Sequence, residues 1–174
     1  CEDIHELSNL VDKTELYKAE EIKAEKSLMS NAEKQIYLAS VLDEKCTYNM
    51  SHSYRIKKKI DVNRLKCAFE QIIAENDILH TAFFEQEGNF YKKVLQNYFV
   101  EFEYRECEAK LSNESIKKFI RPFDLQKGVL IRMVIIREPE SYLMVIDTHH
   151  IVFDKTSWNS FLLMLKKYYG IDQQ

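Results

Sequence analysis

Tyr142-Leu143-Met144-Val145-Ile146-Asp147-Thr148-His149-His150-Ile151-Val152-Phe153-Asp154 is the stretch on which the fold turns. Its first part, Tyr142–Thr148, is a β-rich run of the kind that forms a buried strand. A helical pattern, Thr156–Tyr169, follows almost at once. Two imidazoles and one carboxylate, His149, His150 and Asp154, stand between them. Successive strand side chains point to opposite faces, so the two histidines do different jobs. One faces a cleft and the other packs beneath it. An imidazole can accept or donate a proton near neutrality, which makes the pair a candidate for proton transfer. A pair of structural histidines satisfies the same periodicity. No third ligand stands at a recognisable spacing, so no metal site is expected.

Working outward, Leu130–Arg137 pairs with Tyr142–Thr148 as a hairpin turning at Pro139-Glu140. In the last helix Trp158, Phe161, Leu162, Leu165 and Tyr169 form a broad apolar stripe, and Leu163 and Met164 extend it. A helix so apolar is covered on more than one side, by the core or by a partner. Gly170 is its natural terminator. Towards the N-terminus, Ser30-Asn31-Ala32-Glu33 is a capping box that opens a helix to about Asp43. Tyr48–Lys57 reads as a strand. Asp61 caps a helix with Val62, Leu65, Phe69, Ile72 and Ile73 on one face. Leu79–Gln86 and Phe90–Leu95 flank the turn Glu87-Gly88-Asn89, Phe99–Arg105 alternates as a half-buried strand, and a short helix starts at Ser112 or Asn113 and ends before Pro122. The expected architecture is α/β: a central mixed sheet, mostly antiparallel, flanked by helices. Residues 28–174 form this unit. Residues 1–27 precede it, with a short amphipathic helix over 1–11 (Ile4, Leu7, Leu10, Val11) and a solvated connector over 12–27.

The 174 residues are 45% hydrophobic and 30% charged, a globular balance that can bury a core without disulfides or metals. A net charge of −3 gives a phosphate backbone nothing to grip, so nucleic-acid binding is disfavoured. No apolar run approaches the ~18 residues that span a bilayer, so no membrane segment is expected. Cys1, Cys46, Cys67 and Cys107 form no CxxC pair, a usage that fits the reducing cytoplasm. Cys67 reads as a small packing residue within a helix. The opening Cys in place of Met points to a piece of something longer, or to a processed or tagged chain.

His149-His150-Ile151-Val152-Phe153-Asp154 resembles the HHxxxDG signature of condensation domains from nonribosomal peptide synthetases. Three further stretches agree in order and spacing. Leu28-Met29-Ser30-Asn31-Ala32-Glu33-Lys34-Gln35-Ile36-Tyr37 is similar to the family's first motif. Glu75-Asn76-Asp77-Ile78-Leu79-His80-Thr81-Ala82-Phe83 looks like a worn RHExLRTxF. Phe119-Ile120-Arg121-Pro122-Phe123-Asp124-Leu125 looks like F-x-RPFDL. The similarity runs from about residue 22 to residue 170.

The resemblance implies a chloramphenicol acetyltransferase-like lobe, the N-terminal one of two, with the C-terminal lobe missing. It implies amide bond formation in peptide antibiotic biosynthesis. Upstream and downstream peptidyl carrier proteins would present donor and acceptor on phosphopantetheine arms, with no cofactor bound directly. By resemblance His150 orients or deprotonates the acceptor amine, His149 supports it, and Asp154 is a structural partner. Lys155 and Ser157 are the candidate substrate-binding residues. Ser157 lacks a G-x-S-x-G elbow and is no nucleophile.

Two departures stand out. Lys155 replaces the family's Gly; were the backbone there left-handed, a side chain would cost about 1–2 kcal/mol. Glu75, Asn76, Asp77 and His80 replace Arg, His, Glu and Arg. Arg55 with Lys57-Lys58-Lys59 is a basic run, either solvated or a carrier contact. Three readings therefore compete: half of a peptide-forming domain, inactive as an isolated lobe; a degenerate docking module; and a CoA-dependent acyltransferase of the same superfamily.

Overall fold

Strand β7 (Tyr142–His149) is buried at seven of its eight positions, and β6 (Ile131–Arg137) at six of seven. Apolar residues on both faces of a strand require cover on both faces, and that requirement organises the molecule. The computed structural model describes residues 26–42 and 46–170. The expected helix over 1–11 and nearly all of the connector lie outside them.

Around β7 runs a four-stranded sheet in the order β2-β7-β6-β5, where β2 is Asn49–Ile56 and β5 is Glu101–Glu106. The β2–β7 and β7–β6 pairs are antiparallel, and β5–β6 is parallel. One face carries Ile131, Met133, Ile135, Met144 and Ile146 into the main core. Helices α2 (Val62–Ala74) and α4 (Lys155–Tyr169) bury Leu65, Phe69, Ile72, Trp158, Phe161 and Leu165 in that core. The other face carries Val134, Ile136, Leu143 and Val145 against Ile116 of α3 (Asn113–Lys117).

The single central sheet expected from the sequence is two sheets. Strands β3 (Thr81–Gln86) and β4 (Asn89–Val94) form a hairpin that pairs only with β1 (Ser27–Leu28), in the order β1-β4-β3. The reason lies at the edges. β1 takes the free side of β4, and on β3 the Phe83 N–H donates to the Leu125 carbonyl at 2.8 Å, so a loop stands where a strand would continue the sheet. At the turn Glu87 and Gly88 have φ of 53° and 78°, the paired left-handed conformation that two-residue hairpins demand.

The helix ends follow their local chemistry. Helix α1 (Asn31–Val41) opens with the capping box: the Glu33 N–H donates to Ser30 Oγ at 3.3 Å, and the Ser30 N–H to Glu33 Oε2 at 2.7 Å. Lys92 Nζ then reaches Glu33 Oε1 at 2.7 Å and ties α1 to β4. Asp61 caps α2, and α4 ends at Gly170 with φ 75°. Cys67, expected as a packing residue, is exposed instead. The inward stripe of α2 is Leu65, Ala68, Phe69, Ile72 and Ile73, and position 67 falls off it. Arg55 leaves the basic run: it pairs with the buried Glu138, Nε to Oε2 at 3.1 Å. Helix α4 is buried on one side only, since Leu163 stays 58% exposed.

Phe161 packs edge-on against Phe69 and Phe153 and stacks on Trp158. Phe161→Ala is expected to cost about 3–5 kcal/mol, and Leu163→Ser less than about 0.5 kcal/mol. Urea unfolding of the two variants measures the contrast.

Candidate functional site

His149 is the last residue of β7, and His150 begins the turn that follows. Their surroundings differ because the strand ends between them. His149 is 4% exposed, whereas His150 is exposed. The turn is pinned by the backbone: His149 N–H donates to the Leu130 carbonyl at 2.9 Å, and His150 N–H to the Tyr48 carbonyl at 2.8 Å.

These bonds assign the tautomers. The Ile151 N–H donates to His149 Nδ1 at 3.2 Å, so that nitrogen is an acceptor and the neutral ring carries its hydrogen on Nε2. His150 Nδ1 lies 2.9 Å from the Phe153 carbonyl, which can only accept. His150 therefore carries its hydrogen on Nδ1, and its neutral ring keeps the Nε2 lone pair as the basic site.

Asp154 is the N-cap of α4. Its Oδ1 accepts from the Ser157 N–H and from Ser157 Oγ, each at 2.7 Å. The backbone donation first, and the hydroxyl second, hold this exposed carboxyl below its ordinary range, with His150 a smaller contributor. It is a poor base and a good cap. Ser157 donates its hydroxyl hydrogen to that cap and keeps only acceptor lone pairs for a substrate. Lys155 is the first residue of α4 and is exposed. Positive φ at non-glycine residues falls at Cys46, Glu87 and Val129 among the described residues, so the backbone strain considered for Lys155 does not arise.

The worn second motif runs from the C-cap of α2 at Glu75 into the start of β3. Glu75 accepts from Gln71 Nε2 at 2.9 Å and from the Tyr168 hydroxyl. His80 Nδ1 donates to the Leu95 carbonyl at 2.9 Å, its ring stacks on Tyr98 at 4.5 Å, and Nε2 is 3.6 Å from Asp77.

A cavity of about 420 Å³ opens beside His149. Tyr37 and Val41 of α1, Tyr48, and the loop segment at Phe123 and Leu125 wall it. In the sequence Tyr37, Phe123 and Leu125 stand out only as parts of family-like motifs, and Val41 and Tyr48 carry no signal as wall residues. Sequence reasoning also passed over a buried charged cluster on the His149 face of β7. Asp147 and Arg132 stand opposite each other in register and are 1% and 2% exposed, with Arg132 Nε 3.7 Å from Asp147 Oδ2. Asn49 Nδ2 donates to Asp147 Oδ2 at 2.8 Å. Burial pushes Asp147 up to about 6, against the pull of Arg132 and Asn49, and burial also lowers Arg132. The available signal was a charge inside each apolar run, which a doubly buried strand excludes unless the charge has a partner. Among the described residues no group of three or more His, Cys, Asp or Glu is placed to hold a metal ion, and no helix is long and apolar enough to cross a membrane.

A family model described as "Condensation domain" matches residues 23–173. Surfactin synthase subunit 2 of Bacillus subtilis (strain 168) is 29% identical over 171 residues, a match covering 97% of this chain and 4% of that protein. Bacitracin synthase 2 of Bacillus licheniformis is 31% identical over 131 residues, covering 74% of this chain and 5% of that protein. The chain thus spans a small fraction of the relatives it matches. Among solved structures, the starter condensation domain of the rhizomide synthetase aligns with a TM-score of 0.73 at 18% identity, covering 83% of this chain and 37% of that one. The epimerization domain from the third module of tyrocidine synthetase B aligns equally well, with a TM-score of 0.73 at 16% identity and coverage of 84% and 35%. These two likenesses establish the fold and, by themselves, no reaction.

The Asp147 carboxyl gives a stability prediction with a definite sign. Its folded value of about 6 is above the unfolded value of 3.8, so the folded state holds the proton more tightly. The resulting contribution is fully present below pH 3.8 and is lost as the pH rises through about 6. Arg132, Arg121, Glu101 and His149 face or flank it, so the comparison is differential. Subtracting the stability of Asp147→Asn from wild type should give a difference that rises by about 1–3 kcal/mol between pH 7 and pH 4. Urea titrations across that range measure it, and a flat difference contradicts the assignment.

Proposed function

The chain belongs to the condensation domain family, and from that membership we propose that it is the N-terminal lobe of a domain that forms amide bonds between carrier-bound substrates. The observation that carries the reading is the His150 ring, whose Nδ1 is tied to the Phe153 carbonyl and whose Nε2 lone pair is left as the acceptor. The α-amine of the acceptor attacks the thioester carbonyl carbon of the donor. A C–N bond forms, the C–S bond breaks, and the carrier's thiol leaves. His150 Nε2 accepts the hydrogen bond of the attacking amine and takes up the proton that the leaving thiolate needs. A thioester is already activated and an α-amine is partly neutral at pH 7, so alignment supplies much of the remainder.

Substrates arrive on phosphopantetheine arms of upstream and downstream peptidyl carriers, and a C-terminal lobe completes the tunnel. The names of the relatives, synthases of surfactin and bacitracin, support a place in peptide antibiotic assembly. His149 supports the turn from beneath and Asp154 fixes the start of α4. The CoA-dependent acyltransferase reading loses ground to the family match and to the further motifs. A non-catalytic docking role is the second reading. Lys155 in place of Gly favours it, as do the structural partners taken by Glu75, which accepts from Tyr168 of α4, and by His80, held on Leu95 at the hairpin. In the first reading Lys155 lies beside the approach to His150 as a substrate-contacting residue, and its stem takes space that glycine would leave.

The parent domain carrying both lobes, mixed with loaded donor and acceptor carriers, should yield amide product detectable by mass spectrometry. His150→Ala should abolish it, and this 174-residue chain alone should give only background. Asp154→Asn should retain most of the rate, because an amide oxygen still caps a helix, whereas a base at 154 would be lost. Lys155→Gly should raise the rate; an equal rate places the Lys155 stem away from the substrate.

A further inference from the structure

One face of β7 changes character along its length. Leu143 and Val145 pack with Val134 and Ile136, whereas Asp147 and His149, next on the same face, meet Arg132 and Asn49. Burying an ion pair brings little stability, and apolar side chains of similar volume commonly serve as well. The pair is also poorly made as a pair. Arg132 Nε, Arg132 Nη1 and Asp147 Oδ1 are buried and make no hydrogen bond among the described residues.

What the cluster does well is hold the segment at 121–123. Arg132 Nη2 donates to the Arg121 carbonyl at 3.0 Å and to the Pro122 carbonyl at 3.3 Å. The guanidinium lies 3.6 Å from the centre of the Phe123 ring. Asn49 Nδ2, held at Asp147, also donates to the Arg121 carbonyl at 3.0 Å. Two strands thus grip one irregular segment through its carbonyls. Phe123 in turn sets its ring edge-on to His149, with centroids 6.2 Å apart, and both line the cavity.

We infer that Arg132 and Asp147 are positioning residues: with Asn49 they seat the 121–123 segment on His149 and fix one wall of the cavity beside the histidine turn. Arg132 carries the grip, since a planar guanidinium can stack on a ring and hold two carbonyls together, which a lysine ammonium cannot. Asp147 orients Asn49 and offsets the buried positive charge. The seating stands on geometry alone; its consequence for turnover rests on the functional reading above.

The test separates seating from stability. Arg132→Met leaves the buried Asp147 without the cation opposite it in register and should destabilise the chain. Arg132→Met/Asp147→Leu removes both charges and should recover the stability. Both variants, and Arg132→Lys, should shift the ¹⁵N ring signals of His149 in the histidine-labelled chain while those of His52 stay in place. If Arg132→Met does not fold, the double variant decides. A stable double variant with unchanged His149 signals overturns the proposal. In the parent domain the double variant should lose about tenfold or more in kcat, the cost expected of a misplaced reacting group. An active parent whose kcat is unaffected overturns the link to turnover. A wild-type parent that forms no amide refutes the functional reading, and the His149 signals still decide the seating.

Discussion

Everything in this molecule hangs on β7. It is hydrogen-bonded along both edges and covered on both faces, so neither its register nor its direction can vary. A strand fixed in that way delivers its last residue to a defined point. The backbone bonds from His149 to Leu130 and from His150 to Tyr48 carry the constraint one residue beyond the strand. The turn then has a single course, through Phe153 to the cap of α4 at Asp154. The two histidines inherit their orientation from a sheet whose construction has nothing to do with imidazole chemistry.

Their opposite tautomers follow from the same constraint. At His149 a backbone donor, Ile151 N–H, meets the ring; at His150 a backbone acceptor, the Phe153 carbonyl, does. The protein thus uses two main-chain groups of one tight turn to make one imidazole a buried support and the other a lone-pair donor. Asp154, the third polar residue of the signature, is drawn into the same economy of local bonds. Its carboxylate satisfies the orphan N–H at the start of α4, which is why it sits below its ordinary range and why a base is better sought at His150.

The departures from the family pattern are absorbed structurally. Lys155 enters α4 as its first residue on an ordinary helical backbone, and its charge remains in solvent. Glu75 and His80 stand where basic groups are expected: Glu75 bridges α2 and α4 through Gln71 and Tyr168, and His80 packs at the hairpin base on Leu95 and Tyr98. The fold accommodates both changes without a strained residue at either place.

What the sequence determined by itself was local. Capping residues, apolar periodicity and turn residues act within a few residues, so α1 at Ser30, α2 at Asp61, the Glu87-Gly88 turn and the β6–β7 hairpin could be read directly, and the resemblance of His149-His150 and Asp154 to a known signature singled out the candidate site. Long-range geometry decided the rest. The split into two sheets depends on Leu125 meeting the edge of β3, a contact between residues 42 positions apart from Phe83, and no local pattern encodes it. The exposure of Cys67 depends on which side of α2 the sheet covers. The tautomers depend on which backbone group the turn brings to each ring, and the cavity on α1, Tyr48 and Phe123 converging on His149. Arg132 and Asp147 show the difference most clearly. In the sequence each is a charge interrupting an apolar run; only strand pairing puts them opposite each other, because register is set by the whole sheet and not by either strand.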